Sequence, residues 1–335
     1  MLIEKNKSLQ AFNTFGLSTK AKQFCAFSDI QTLQSVLKLK IKPIRILGGG
    51  SNLLLTKNVD GLLLKNEIKG KEIIRRFKKS VYVKVGGGEN WHAFVLWCIG
   101  QGLGGIENLS LIPGTVGASP IQNIGAYGVE LQDVFHQLEA IELATGKTKI
   151  FKKKDCHFGY RNSVFKQRIK GKYCITYVWF KLSTEHQINL AYGAIRDTLA
   201  SAKIKKPSIR DISNAVIKIR SSKLPDPAKL GNSGSFFKNP EISKRAFNTL
   251  QKQFPHIVFY DLPNGKVKVP AGWLIEQCGW KGKKVGNTGA HAKQALVLVN
   301  YGNAKGTEIF RLAQKIQKSV KEKFNIQLEM EVNVW

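Results

Sequence analysis

The chain has 335 residues, 43% of them hydrophobic and 23% charged, with 53 Lys and Arg against 23 Asp and Glu for a formal net charge of +30. That length suits two or three domains with cores of their own, and the composition is that of a folded soluble protein, which excludes fibrous and low-complexity classes. No window is apolar for long enough to cross a bilayer, and five cysteines without a C-x-x-C pair exclude a disulfide framework or zinc site and fit reduced thiols in the cytoplasm.

The opening residues, MLIEKNKSLQAFNTFG, lack a basic segment followed by an apolar one, so no secretory leader is expected. Residues 29–38 predict a short helix with Asp29 or its neighbours at its start. Residues 41–47 predict a buried strand that ends abruptly at Gly48-Gly49-Gly50-Ser51-Asn52. Such a turn exposes backbone amides and suits a pyrophosphate. The next residues, LLLT and then GLLLKN, read as more strand, so the strand–turn–helix context of a Rossmann fingerprint is missing. Residues 71–85 predict two strands running into a second triple glycine at 86–88. A helix is expected over 90–102, with Asn90 as cap and Gly102 as stop.

The stretch 111–128, LIPGTVGASPIQNIGAYG, carries four glycines, two prolines and no formal charge. It reads either as an ordinary surface loop or as a cradle for a large, flat or phosphorylated ligand. Strands are expected over 135–143, 147–151 and 173–182, with a loop rich in aromatic and polar groups over 156–166. From residue 194 the texture changes. Helices are predicted over 194–202, 208–219, 241–252, 270–278 and 307–324, strands over 266–269 and 295–300, and an alternating strand over 326–335. The basic excess suits nucleic acid, a membrane surface or an anionic ligand. The lysines are dispersed, however, and neither zinc-finger spacing nor an RNP-like aromatic signature is present. Arg161, beside Tyr160, is either a surface charge or an anion clamp. Ser235 is either a turn serine or an accessible hydroxyl. Glu329 and Glu331 share one side of the last strand.

Taken in order, NTFGL (13–17), ILGGGSNLLL (46–55), ENLSLIPGTVGASPIQNIGAYGVEL (107–131), FGYRNSVFK (158–166), KLPDP (223–227), GNSGSFFKNP (231–240), PAGWLIEQCG (270–279) and LEMEV (328–332) resemble the UDP-N-acetylenolpyruvoylglucosamine reductase family in its longer form. The resemblance implies an α+β protein with two FAD-binding α+β subdomains of the vanillyl-alcohol-oxidase type, 1–65 and 66–210. An α+β substrate-binding domain, 211–325, and a C-terminal strand, 326–335, complete it. It implies FAD and NADPH as cofactors and reduction of UDP-N-acetylglucosamine enolpyruvate in peptidoglycan synthesis. The chain would be a cytoplasmic monomer with no metal, nucleic-acid or membrane partner. By the same resemblance Arg161, Ser235 and Glu331 are catalytic. Gly48, Gly49, Gly50, Ser51, Asn52, Gly114, Gly117, Ser119, Gln122 and Gly125 lie at the flavin, and Tyr160, Tyr192, Lys223, Asn239 and Gln294 contact substrate. Asn333 departs from the pattern, standing where the family often has a basic residue.

Overall fold

The computed structural model describes residues 2–335. The chain divides into two compact units. One comprises residues 2–7, Lys20–Gly50 and Val59–Ser222; the other comprises Ser8–Thr19, Ser51–Asn58 and Lys223–Trp335.

In the first unit, strands β1 (Glu4–Ser8), β2 (Lys20–Phe27), β3 (Ile44–Leu47) and β4 (Val59–Asn66) form a sheet in the order β1-β2-β4-β3. Both β2 and β3 run parallel to β4. The continuous Leu62-Leu63-Leu64 run is fully buried, as expected of a strand covered on both faces. The helix Ile30–Leu37 starts where Asp29 Oδ1 accepts the Thr32 N–H at 2.7 Å. It lays Leu33 and Val36 into a core with Cys25, Phe27, Leu62 and Leu64.

A second, antiparallel sheet of the same unit contains β5 (Lys71–Arg76), β6 (Ser80–Gly86), β7 (Phe135–Glu142), β8 (Thr148–Lys152) and β9 (Tyr173–Ser183), in the order β8-β7-β9-β6-β5. Here alternation decides which side is wet. Val81, Val83, Val85, Val178, Phe180 and Leu182 are buried in one core with Trp91, Phe94, Val95 and Cys98 of the helix Trp91–Gly100, each large side chain contributing about 1.5–3 kcal/mol. Asn90 caps that helix by accepting the Ala93 N–H at 2.9 Å, and Gly102, at φ +67°, turns the chain out of it. Helices Gly193–Ser201 and Ile209–Lys223 bury Ile195 and Leu199 among Ile212, Ala215, Val216 and Ile219.

The second unit is built on the four-stranded sheet Gly231–Ser235, Val297–Asn300, Thr288–Ala290, Lys284–Val285, in that spatial order. The helix Gly306–Phe324 buries Ile309, Leu312, Ala313, Ile316 and Val320, the apolar face legible in its sequence. Two expectations are corrected. Residues 241–243 are not helical: they pair as a strand with Lys266–Lys268, and the helix begins only at Lys244, because Ser243 caps it by accepting the Ala246 N–H. The closing strand is shorter than its pattern. Only Asn333–Val334 forms a ladder, parallel to Leu53–Leu54, and Met330 makes a single bridge to Phe237. Alternation still governs burial there, with Ile326, Leu328 and Val332 inside and Gln327 and Glu329 outside.

Cys25, Cys98, Cys156 and Cys174 are buried free thiols. Burial pushes Cys156 and Cys174 up to about 12. Among the described residues no helix is long and apolar enough to cross a membrane.

Candidate active site

Glycine turns of the first unit meet backbone to backbone. β3 ends at Leu47 and the chain turns through Gly48 to Gly50, the last at φ +64°. A Cβ on Gly49 would lie 2.7 Å from Gly114 Cα, and one on Gly48 would lie 2.8 Å from Thr115 Oγ1. Gly117 donates its N–H to Gly87 O at 2.8 Å, and a Cβ on it would sit 3.0 Å from Gly87 Cα. Neither Gly49 nor Gly117 has a positive φ, so the glycine is required by close approach. Gly49→Ala is expected to cost about 1–3 kcal/mol of stability, as overpacking does, and to yield protein that purifies with substoichiometric flavin. Thermal melting and the absorption spectrum of the purified variant check both.

The remaining predicted cofactor residues of this unit lie in the same loop system. Ser119 is buried, and its hydroxyl donates to Val116 O at 2.7 Å, closing a helical turn. Gln122 is half-buried. Gly125 offers its carbonyl to Arg161 Nη2, and a Cβ on Gly125 would lie 3.0 Å from Arg161 Nη1. The predicted catalytic arginine therefore rests on the predicted cradle. Arg161 itself has φ +50°, in a turn closed by reciprocal bonds between Gly159 and Asn162, with its guanidinium carbon 5.5 Å from the Tyr160 ring centre.

Arg220 is a functional candidate that sequence reasoning misses. It lies near the end of the helix Ile209–Lys223, with its Nε buried and no acceptor for it among the described residues. Burial lowers its pKa; a hydrogen bond to Tyr127 opposes this, and the charge of Arg161 adds to it. Among the described residues no carboxylate balances the guanidinium. Tyr127, at φ +51°, packs edge-on against Tyr192 with ring centres 5.0 Å apart. His92 is held below its usual range by burial and then by Arg220, and its Nδ1 accepts the Leu111 N–H at 3.0 Å, which requires the neutral ring. A buried cation without a counterion is costly unless an anion arrives. The expected helix over 208–219 stops one residue short of Arg220, whereas the observed helix runs to Lys223 and carries Arg220 on the buried stripe of Ile209, Ser213 and Val216.

In the second unit, Ser235 ends the strand Gly231–Ser235 and pairs with Val297, after a bulge that contains Gly234 at φ +67°. Glu331 donates its backbone N–H to Phe236 O at 2.8 Å, and Lys238 donates its own to Glu329 O at 2.9 Å. Ser235 and Glu331 therefore lie on adjacent segments, about one rung apart. The Asn52 side chain donates to Glu331 O at 3.3 Å, and Asn333 Nδ2 donates back to Asn52 O at 3.1 Å. The short amide at 333 thus fastens the Ser51-Asn52 turn to the C-terminus. Glu329 is mostly exposed and pairs with Lys238. Asn239 Oδ1 accepts the Ala271 N–H at 2.9 Å, the first of the helix Ala271–Gln277. Gln294 Oε1 accepts the Leu296 N–H at 3.3 Å, and Lys223 is exposed.

Comparison with known proteins agrees with this division. Residues 22–152 match the model of an FAD binding domain, and residues 226–335 match that of the UDP-N-acetylenolpyruvoylglucosamine reductase C-terminal domain. Proteins named UDP-N-acetylenolpyruvoylglucosamine reductase from Flavobacterium johnsoniae and Pseudomonas syringae pv. tomato are 52% and 47% identical to this chain, covering 100% and 99% of it and the same shares of themselves. The crystal structure of the corresponding Thermus caldophilus reductase superposes with a TM-score of 0.69 over 100% of this chain and 99% of that one, at 23% identity, a likeness of fold. The fold is thus α+β, with an FAD-binding part, and the chain is an FAD-binding oxidoreductase. It belongs to the UDP-N-acetylenolpyruvoylglucosamine reductase family.

The residues present fit FAD. At Gly48, Gly49 and Gly117 the turns pack against facing loops with no room for a Cβ, turns of this kind expose backbone amides that suit a pyrophosphate, and the orphaned Arg220 Nε is a donor in want of an anionic or carbonyl-rich partner.

Proposed function

We propose that the chain reduces the enolpyruvyl ether of UDP-N-acetylglucosamine enolpyruvate to UDP-N-acetylmuramate with NADPH, as a cytoplasmic monomer in peptidoglycan synthesis. Bound FAD supplies the hydride relay between nucleotide and substrate. Gly48, Gly49, Gly50, Ser51, Asn52, Gly114, Gly117, Ser119, Gln122 and Gly125 hold it. Arg161 stabilises negative charge as it develops on the carboxylate side of the substrate, where a preorganised cation in a dry site is worth most. Arg220 adds to the same field from behind Tyr127. Ser235 delivers the proton to the carbon beside the ether oxygen, and Glu331 orients that step. Tyr160, Tyr192, Lys223, Asn239 and Gln294 bind the sugar nucleotide.

The observation that carries this reading is Arg220, a buried guanidinium that feels the charge of Arg161 and, among the described residues, has no carboxylate to neutralise it. Such an arrangement is built for an anionic ligand. Lys223 supplies a separate test, because it is exposed and lies outside the first unit. Lys223→Ala is expected to raise the substrate Kd about tenfold, the loss of a hydrogen bond to a charged group, with the bound-flavin spectrum unchanged. Titration of the oxidised enzyme with substrate, followed by flavin absorbance, measures both. A variant that loses its flavin spectrum would contradict the assignment.

A further inference from the structure

The five-stranded sheet has an outer face that the proposed chemistry does not use. Trp179 lies opposite Lys84 and Gln137, Tyr82 opposite Lys181, and Gln137 opposite Lys152. Lys84 Nζ sits 4.2 Å from the Tyr177 ring centre and 5.3 Å from that of Trp179. Tyr82 meets His136 edge-on at 4.8 Å and Phe77 at 5.7 Å, and the Arg75 guanidinium carbon lies 4.6 Å from the Phe77 ring. Phe77 is 45% exposed. Burial lowers the pKa of His136, and the charges of Lys181 and Lys152 lower it further, so both lysines project their field onto this face. Carboxylates oppose them: Glu72 is paired across the ladder with Lys84, Glu139 is bonded by Thr176 Oγ1 at 2.8 Å, and the charges of Glu139 and Asp29 reach Tyr177.

We propose that this face binds single-stranded nucleic acid. Rings set between cations across an open antiparallel sheet offer stacking surfaces to bases and counter-charges to the phosphates between them, a pairing indifferent to sequence. A protein partner would call for a contiguous apolar patch, and here the ring pairs are overlaid by Arg75 and Lys84 and flanked by Lys181. The net charge of +30 favours encounter with a polyanion. No contiguous motif announces the surface because Phe77 and Tyr82 come from a segment far in sequence from Trp179; the expectation of no nucleic-acid partner came with the family resemblance.

The test is fluorescence anisotropy of a labelled oligothymidylate of about 15 nucleotides with the FAD-loaded chain. Four phosphate contacts, from Arg75, Lys84, Lys152 and Lys181, predict about fiftyfold weaker binding at about 200 mM salt than at about 50 mM. Tyr82→Ala and Trp179→Ala should each weaken binding at least about fivefold. Lys181→Glu, an exposed substitution that leaves the core untouched, should also weaken binding, and all three variants should keep wild-type reductase turnover. The proposal is overturned if the oligonucleotide does not bind at low salt. It is equally overturned if Trp179→Ala and Lys181→Glu bind it as wild type does, which assigns binding to the basic surface at large. Loss in these variants of binding to phosphatidylglycerol vesicles, with no binding of the oligonucleotide, would overturn it in favour of a membrane surface.

Discussion

Ser235→Ala is expected to leave reduction of the bound flavin by NADPH near the wild-type rate and to slow its reoxidation by the enolpyruvyl substrate at least about a hundredfold, the scale on which a general acid is lost. The change removes one oxygen from a half-buried side chain at the end of Gly231–Ser235. The ladder to Val297 and the left-handed Gly234 are backbone features that survive it, so the fold should hold. A serine hydroxyl is a weak acid in water and needs a neighbour that compensates for its proton. Glu331, fixed through its own N–H to Phe236 O, is close enough in register to hold such a neighbour in place. Stopped-flow absorbance separates the two half-reactions. If both remain near wild type, Ser235 does not deliver the proton.

Arg220→Met is expected to act in opposite directions on folding and on turnover. Met keeps the volume and removes a buried charge that no carboxylate among the described residues balances, so the flavin-free protein should melt no lower than wild type, and replacing buried charge by apolar volume is often stabilising. Substrate-dependent reoxidation should fall about a hundredfold or more, as when one preorganised donor is removed from a developing anion. His92 supplies an independent readout. Its pKa is lowered by burial first and by Arg220 second, so deleting the charge moves the His92 titration upward. A histidine whose folded pKa lies below its unfolded value of about 6.5 favours the native state above that pH, and the contribution is lost as pH falls through the folded pKa. The variant should therefore lose part of the wild-type sensitivity to mild acid. A variant that melts lower and turns over normally would make Arg220 a structural residue only.

Local signals carried much of the fold because they are local physics. Asn90 caps the helix it was expected to cap, Asp29 among the candidates caps the first one, and the Leu62–Leu64 run marks a strand buried on both sides. The failures are equally physical. Helical periodicity extends back to residue 241, but the cap at Ser243 and the partner strand Lys266–Lys268 decide where the helix starts. Alternation in 326–335 fixes which side chains are buried and says nothing of whether a partner strand exists. At the candidate site, Gly48 and Gly49 were legible as a turn, whereas the need for glycine there comes from Gly114 and Thr115, far along the chain. Arg220 was hidden among the lysines and arginines of a basic helix. Only packing shows that its guanidinium is buried and unbalanced.

In the proposed reaction NADPH reduces one bound flavin and the enolpyruvyl sugar nucleotide reoxidises it. An anaerobic two-step titration of the purified protein addresses it directly. The purified protein should be yellow, bleach on stoichiometric NADPH and regain its full absorbance on one equivalent of UDP-N-acetylglucosamine enolpyruvate, with UDP-N-acetylmuramate formed in equal amount. A flavin that bleaches and stays bleached until oxygen is admitted would contradict it.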